Sequence, residues 1–145
     1  MSTVTRNSHK LAGLVAAATL ALMAGAALAA QQSVQIQAGQ LLMTRACAKC
    51  DLSGADFNGK DLKGVDLSEA TLVGAGFYKT DLSGANLGGA DLSKANLTFA
   101  DLTNANIGTA NLTGANLTGA KGAALAAATT TETTICPDGA AGPCR

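Results

Sequence analysis

Residues 50–119 repeat with a period of five and without a single insertion. Six of the fourteen units read Ala-Asp-Leu-x-x or Ala-Asn-Leu-x-x, as in ADLSK, ANLTF and ADLTN, and the others depart from this pattern at one or two positions. A fixed short period means that each unit is one structural element that stacks on copies of itself. The pattern therefore predicts a solenoid of fourteen units. It indicates much less about chemistry.

Each unit has a central apolar residue, and a small residue, usually Ala, stands two positions before this centre. Residues two apart share a face of an extended chain, so the centre and the small residue point inward, and the Asp or Asn between them points outward. The two residues after the centre are mostly Ser, Thr, Gly, Lys or Asn, which suit a corner. A helix would scatter a period of five around its surface. The predicted centres are Leu52, Phe57, Leu62, Leu67, Leu72, Phe77, Leu82, Leu87, Leu92, Leu97, Leu102, Ile107, Leu112 and Leu117.

This repeat resembles the pentapeptide-repeat family. The resemblance implies an all-β fold, a right-handed quadrilateral β-helix with four units and twenty residues per coil, here about three and a half coils. The spacing alone does not distinguish four sides from three. We expect residues 30–49 to form a short, partly helical N-terminal cap, residues 50–119 the β-helix, and residues 120–145 a C-terminal tail stapled by a disulfide.

The N-terminus is predicted to be a signal peptide, residues 1–29. Arg6 and Lys10 precede an uncharged apolar run that ends in Ala27-Leu28-Ala29, a small-x-small cleavage pattern. We expect cleavage after Ala29, a periplasmic or secreted protein, and no membrane association afterwards. The alternative is an uncleaved anchor, because 19 apolar residues nearly span a bilayer.

Charge and motifs argue against several function classes. Without residues 1–29 the chain has eight Lys and Arg against ten Asp and Glu, so it has neither the basic surface of a nucleic-acid binder nor the strong acidity of a DNA mimic. Its one histidine, His9, lies in the signal segment, and no phosphate-binding loop, HExxH or GxSxG motif is present. We therefore expect no enzymatic activity, no cofactor, no metal and no nucleic-acid partner.

Four units per coil would stack residues that are twenty apart in sequence. Phe57 then lies above Phe77 inside the coil. Lys60 and Thr80, two polar residues at the small inward position, also share a column. We expect Thr80 to bond to the backbone and Lys60 to extend outward from the first coil.

On the outer surface, Asp61, Asp81 and Asp101 should form a column of carboxylates. The column could bind cations or a basic partner. The alternative, which we favour, is a solvated face that carries the usual outward Asp of the repeat.

Two aromatic residues, Tyr78 and Phe99, fall at outward positions on the same side of neighbouring coils. An exposed aromatic pair is a better candidate contact surface than any charged group in this chain. The pair could instead be covered by the C-terminal tail.

Four cysteines lie at the two ends of the repeats: Cys47, Cys50, Cys136 and Cys144. An even number in an exported protein indicates disulfides. Three pairings are possible, and the local one is favoured because the repeats separate the two pairs. The CxxC could instead be redox-active or bind zinc. A helix predicted over about 34–46 puts it at a helix C-terminus, which does not favour a thiolate, so we expect a structural role.

Three functions are compatible with this sequence. The first, which we favour, is an exported, non-enzymatic structural or protein-binding solenoid whose partner no residue pattern identifies. The second is the activity of the related quinolone-resistance proteins, which imitate DNA and occupy gyrase; the export signal and the weak charge argue against it. The third is a thiol-dependent envelope protein that uses Cys47 and Cys50.

Overall fold

A computed structural model describes the backbone of residues 8–144 and the side chains of residues 25–144. The chain divides into two compact parts, Met1–Ser33 and Val34–Arg145. All the repeats lie in the second part. Helix α1, Ser8–Thr44, is the one α-helix in the described residues, and a short 3-10 helix follows the repeats at Leu125–Ala127.

The repeats form a coil of twenty residues, that is, of four units. Parallel bridges join residues twenty apart along the whole series, for example Asp51 with Thr71 and Asn96 with Asn116. The first bridge joins Ala46 to Asp66, one unit before the expected start of the solenoid at residue 50. The four-sided coil expected from the family resemblance is therefore present.

The expectation of an all-β fold needs correction. The described residues contain isolated bridges and no extended strand, and the longest regular element is the 37-residue helix α1. Each side of the coil forms a single bridge, at its outward residue, because a turn follows at once. The turn adds one more hydrogen bond between coils, as the N–H of Gly54 donates to the carbonyl of Val73 at 2.9 Å. The β-helix is thus built from single bridges.

Each corner is a four-residue turn closed by the backbone. In one such turn the N–H of Ala55 donates to the carbonyl of Leu52 at 3.0 Å. The residue just before the small inward position has a positive φ in all fourteen units, as a type II turn requires at its third residue. Glycine adopts this conformation without strain, and eight units use it. The other six have Glu69, Lys79, Lys94, Phe99, Asn104 and Thr109 there.

The outward Asp and Asn residues hold these turns from outside. The Oδ1 atom of Asp51, for example, accepts the N–H of Ser53 at 3.1 Å. On two sides the amides also link successive coils. Asn86 Nδ2 donates to Asp66 Oδ1 at 3.1 Å and Asn106 Nδ2 to Asn86 Oδ1 at 2.9 Å on one side, and Asn111 Nδ2 donates to Asp91 Oδ1 at 3.1 Å on the next. The turns therefore explain why nearly every unit has Asp or Asn before its centre.

The interior matches the predicted inward positions. All fourteen centres are buried, most of them completely. Phe57 and Phe77 stack with ring centroids 5.3 Å apart, as predicted. Thr80 Oγ1 donates to the carbonyl of Phe57 at 2.7 Å, and Lys60 is exposed. Both polar residues at the small inward position therefore behave as expected.

Helix α1 differs from the predicted helix over 34–46. It begins at Ser8 and ends at Thr44, since the Ala-rich apolar run contains no proline to stop it. Its last turns pack on the hydrophobic core through Val34, Ala38 and Leu41, and Leu41 is completely buried. These residues recur at helical spacing and form the expected cap. No helix among the described residues has the length and apolarity needed to span a membrane.

The tail continues the coil but loses its register. Lys121 pairs with Asp101 at the regular separation of twenty, whereas Thr129 pairs with Asn111 and Ile135 with Asn116. The chain then reverses, and Ile135 forms an antiparallel bridge with Ala141. An irregular last coil and a hairpin therefore close this end.

Candidate contact surface

The four cysteines form two local disulfides, Cys47–Cys50 and Cys136–Cys144, which leave no free cysteine. The first pair follows the C-terminal end of helix α1, and Cys47 is buried against the core. A helix C-terminus does not lower the pKa of a thiol, and a buried sulfur is poorly accessible to a substrate. The location of the pair thus favours a structural role.

The column of Asp61, Asp81 and Asp101 is present, with successive members bridged. Each carboxylate accepts the N–H of the second residue after it, at 2.9–3.0 Å. Cations lie at both ends, because Arg45 Nη1 is 3.5 Å from Asp61 Oδ1 and Lys121 pairs with Asp101 along the backbone. The carboxylates of this column therefore stabilise the turns that follow them, and nearby cations partly neutralise their charge.

Hydrogen bonds lower the pKa of two of these carboxyls. The backbone N–H of Lys63 lowers the pKa of Asp61, and the Arg45 guanidinium adds to the effect. The side-chain hydroxyl and the backbone N–H of Thr103 lower the pKa of Asp101. Among the residues that the structure describes, no group of three or more His, Cys, Asp or Glu has a metal-binding arrangement.

The structure brings Tyr78 and Phe99 together on the surface. Their ring centroids are 6.2 Å apart and their planes meet at 76°, an edge-to-face pair. The side chains remain 38% and 52% exposed, so the tail does not cover them. Lys79 Nζ lies 5.1 Å from the centre of the Tyr78 ring, at cation–π distance.

Phe99 occupies a corner that favours glycine. Its φ is +58°, and an L-residue in this left-handed region is strained by about 1–2 kcal/mol. The ring lies over Gly119, where an added Cβ would be 2.5 Å from two ring carbons. We call Tyr78, Lys79, Phe99 and Gly119 the aromatic corner.

The sequence pattern identified two members of the aromatic corner and missed the other two. Lys79, Phe99 and Gly119 are twenty residues apart, so the predicted coil length placed them in one column. The pattern did not predict the direction of the Phe99 ring, which extends toward the following coil.

A cleft of about 590 Å³ lies in the tail. It is lined by Ala123–Ala126, Cys136–Asp138 and Ala140–Cys144. Its lining residues are mostly small, and Asp138 is the single charged group among them. This composition offers little that would orient a polar ligand.

The comparisons with known proteins agree on one family. The family model for pentapeptide repeats matches residues 47–84 and 80–119, with eight copies. A search of curated proteins found no match.

Several solved structures are similar to this chain. The pentapeptide repeat protein Rfr23 from the cyanobacterium Cyanothece is 26% identical over 69% of this chain and 97% of its own, with a TM-score of 0.48. HetL from Nostoc, involved in heterocyst differentiation regulation, is 32% identical over 66% of this chain and 57% of its own, with a TM-score of 0.34. A pentapeptide repeat protein of the Arabidopsis thaliana thylakoid lumen is 39% identical over 62% of this chain and 71% of its own, with a TM-score of 0.26.

The matched repeats cover half of the sequence, and the coil repeats every twenty residues. The chain belongs to the pentapeptide-repeat family, whose members fold as right-handed quadrilateral β-helices.

Proposed function

We propose that this chain is exported, loses residues 1–29, and acts without catalysis as a disulfide-capped solenoid that binds a protein partner through the aromatic corner. The observation that carries the proposal is the exposed pair of Tyr78 and Phe99. Strained residues that persist at exposed positions are often retained for function, and exposed aromatics are frequent binding hot spots.

The size of the surface indicates the kind of contact. An aromatic side chain presents about 150–250 Å² when fully exposed, so the two rings together offer roughly 200 Å². A standard interface takes about 800 Å² from each partner. A partner must therefore also cover the polar face beside the corner, where Thr98 and Thr118 lie in the same column as Tyr78.

Two observations support the export part of the proposal. The apolar run ends in the cleavage pattern at Ala29. Of the side chains described, the first to pack against the core is Val34, and the second compact part begins at this residue. Removal of residues 1–29 would leave the described core complete.

The contact surface is tested with two matched substitutions, Phe99→Gly and Lys94→Gly. Both residues have a positive φ at neighbouring corners, so both changes relieve the same backbone strain. We expect wild type and Lys94→Gly to cross-link to the same partner in the envelope fraction, and Phe99→Gly to lose it. Equal cross-linking of all three proteins would reject the aromatic corner as the contact surface.

The location is tested by cell fractionation followed by N-terminal sequencing. We expect a mature chain that begins at Ala30 in the periplasm or the medium. Full-length chain confined to the cytosol would overturn the export proposal and reopen the question of a gyrase partner.

A further inference from the structure

The CxxC segment spans the turn of an additional repeat unit, residues 45–49, at the start of the solenoid, and ends on the small inward position of the next unit. Cys47 stands at a centre position, twenty residues before Leu67, and Cys50 stands at a small inward position, twenty before Ala70. The N–H of Cys47 donates to the carbonyl of Asp66 at 2.8 Å, and the N–H of Thr71 donates to the carbonyl of Cys50 at 2.8 Å. The later units make the same bonds.

The Cys47–Cys50 disulfide spans the turn of this unit. The N–H of Cys50 donates to the carbonyl of Cys47 at 3.3 Å, where the corresponding bond from Ala55 to Leu52 is 3.0 Å. Elsewhere in the repeats this turn has the same backbone hydrogen bond but no covalent bond across it. The first unit thus has a covalent bond where most of the others have two apolar side chains.

This unit also connects the solenoid to the end of helix α1. Cys47 Sγ lies 3.9 Å from the carbonyl oxygen of Gln37, and Cys47 belongs to the same core cluster as Leu41. The unit has a repeat on one side only, and terminal units of a stacked protein are the first to open. The disulfide therefore lies where the solenoid has the fewest neighbours.

We infer that Cys47–Cys50 is a redox-sensitive clasp that holds the first unit and residues 34–44 on the solenoid. A thiolate of a dithiol reductant attacks the Sγ atom of the half-buried Cys50, and the disulfide breaks with Cys47 leaving as a thiolate that takes up a proton. The second thiol of the reductant displaces Cys50, so that two electrons and two protons reach the protein and the reductant becomes a disulfide. The first unit and residues 34–44 then open more often, while the coils below stay formed. This inference does not depend on the aromatic corner or on a partner.

Trypsin tests the clasp in the wild-type protein, because Arg45 and Lys49 flank the cysteine pair. A short disulfide loop stabilises by an amount that corresponds to at least about a tenfold change in opening. We expect dithiothreitol to raise the cleavage rate at Arg45 and Lys49 by about tenfold or more. Cleavage at Lys79 and Lys94, in the middle of the solenoid, should not change.

The matched control is Cys47→Leu with Cys50→Ala, the residues that the repeat itself uses at these positions. This variant should cleave at the same rate with and without reductant. Equal cleavage of wild type in both conditions would overturn the clasp. So would an equal effect of reductant on the variant, since the Cys136–Cys144 disulfide would then be the source.

Hydrogen exchange decides the question if the variant does not fold. In wild type, reduction should speed the exchange of the Cys47 and Lys49 amides, which donate to Asp66 and Ser68, and leave the Leu97 amide unchanged. Unchanged rates at all three amides would refute the inference.

Discussion

The interior of the column is nearly the same in every coil, whereas its outer face changes from unit to unit. Leu82, Leu87 and Leu92 are completely buried on three successive sides. At outward positions, Thr71 and Gly76 replace the usual Asp or Asn, and Tyr78 lies two residues after Gly76. The inner positions must fit identical neighbours above and below, but an outer side chain needs only to leave the turn intact.

The difference separates what specifies the fold from what distinguishes this protein within its family. Substitutions inside should cost much free energy of unfolding whichever coil they affect. Substitutions outside should cost little unless they disturb a turn or a link between coils. Four predictions test this contrast, from the largest expected effect to the smallest.

Leu92→Asp should have the largest effect. It places an unpaired carboxylate in the centre of the column, which costs several kcal/mol and prevents cooperative folding of the middle coils. The control is Asn96→Asp, an outward change that keeps the oxygen accepting the N–H of Thr98. Urea unfolding followed by circular dichroism compares the two. Similar losses in both variants would show that the inward and outward assignments are wrong.

Gly119→Ala should destabilise the protein more than Gly84→Ala. Both residues have a positive φ, so each change costs about 1–2 kcal/mol. At Gly119 the new Cβ also displaces the Phe99 ring, whereas the space at Gly84 is open. In a Phe99→Gly background the two costs should become equal, as a double-mutant cycle of unfolding free energies would show. A difference that persists in this background would contradict the described packing.

Thr80→Val should lower the free energy of unfolding by about 0.5–1.5 kcal/mol, because it removes the buried hydrogen bond from Thr80 Oγ1 to the Phe57 carbonyl. The amide of Lys60 still donates to this oxygen, which keeps the loss small. Thr98→Val removes an exposed hydroxyl and is the matched control. In thermal unfolding, the Tm of Thr80→Val should be lower than the Tm of the control. The opposite order would be inconsistent with a buried Thr80.

Acid should weaken the turns through their carboxylates. The hydroxyl and the N–H of Ser53 lower the pKa of Asp51, so its ionised form stabilises the folded state above the unfolded pKa of about 3.9. This contribution is lost as the pH falls from there through the lower folded pKa. Asp51→Asn keeps the acceptor and cannot titrate, so its Tm should fall slightly less steeply below about pH 4. Parallel pH profiles would contradict this role of Asp51.

The inner columns were predictable from the sequence because their signal is repeated. The period placed Phe57, Phe77 and Thr80 inside, and the four-unit coil that the family resemblance implies put Phe57 over Phe77. This stacking and the bond from Thr80 to the backbone are both observed. The same repetition hid two things. It did not distinguish four sides from three, since the alternation of inward and outward residues is the same in both. It also did not show that each side has a single bridge instead of an extended strand.

The two ends of the solenoid were less predictable, because each has a sequence that is not repeated elsewhere in the chain. Helix α1 extends well beyond the predicted 34–46, because a sequence rich in good helix formers gives no internal stop. In the tail, Thr134 is buried and donates to the carbonyl of Leu112, as Thr80 does to Phe57. Thr134 thus plays the same part in the last coil as Thr80 does in the regular repeats. The sequence did not predict this, because the tail no longer has the five-residue period.

Disulfide cross-linking tests the four-sided coil most directly. Asn96→Cys with Asn116→Cys joins two bridged residues, at the ~4.8 Å spacing of neighbouring strands that a disulfide can span. Asn96→Cys with Asn111→Cys joins residues fifteen apart, which a three-sided coil would bring together. Under mild oxidation, mass spectrometry should find a new disulfide in the first variant and two thiols in the second. A disulfide in the second variant and none in the first would contradict the coil of twenty residues.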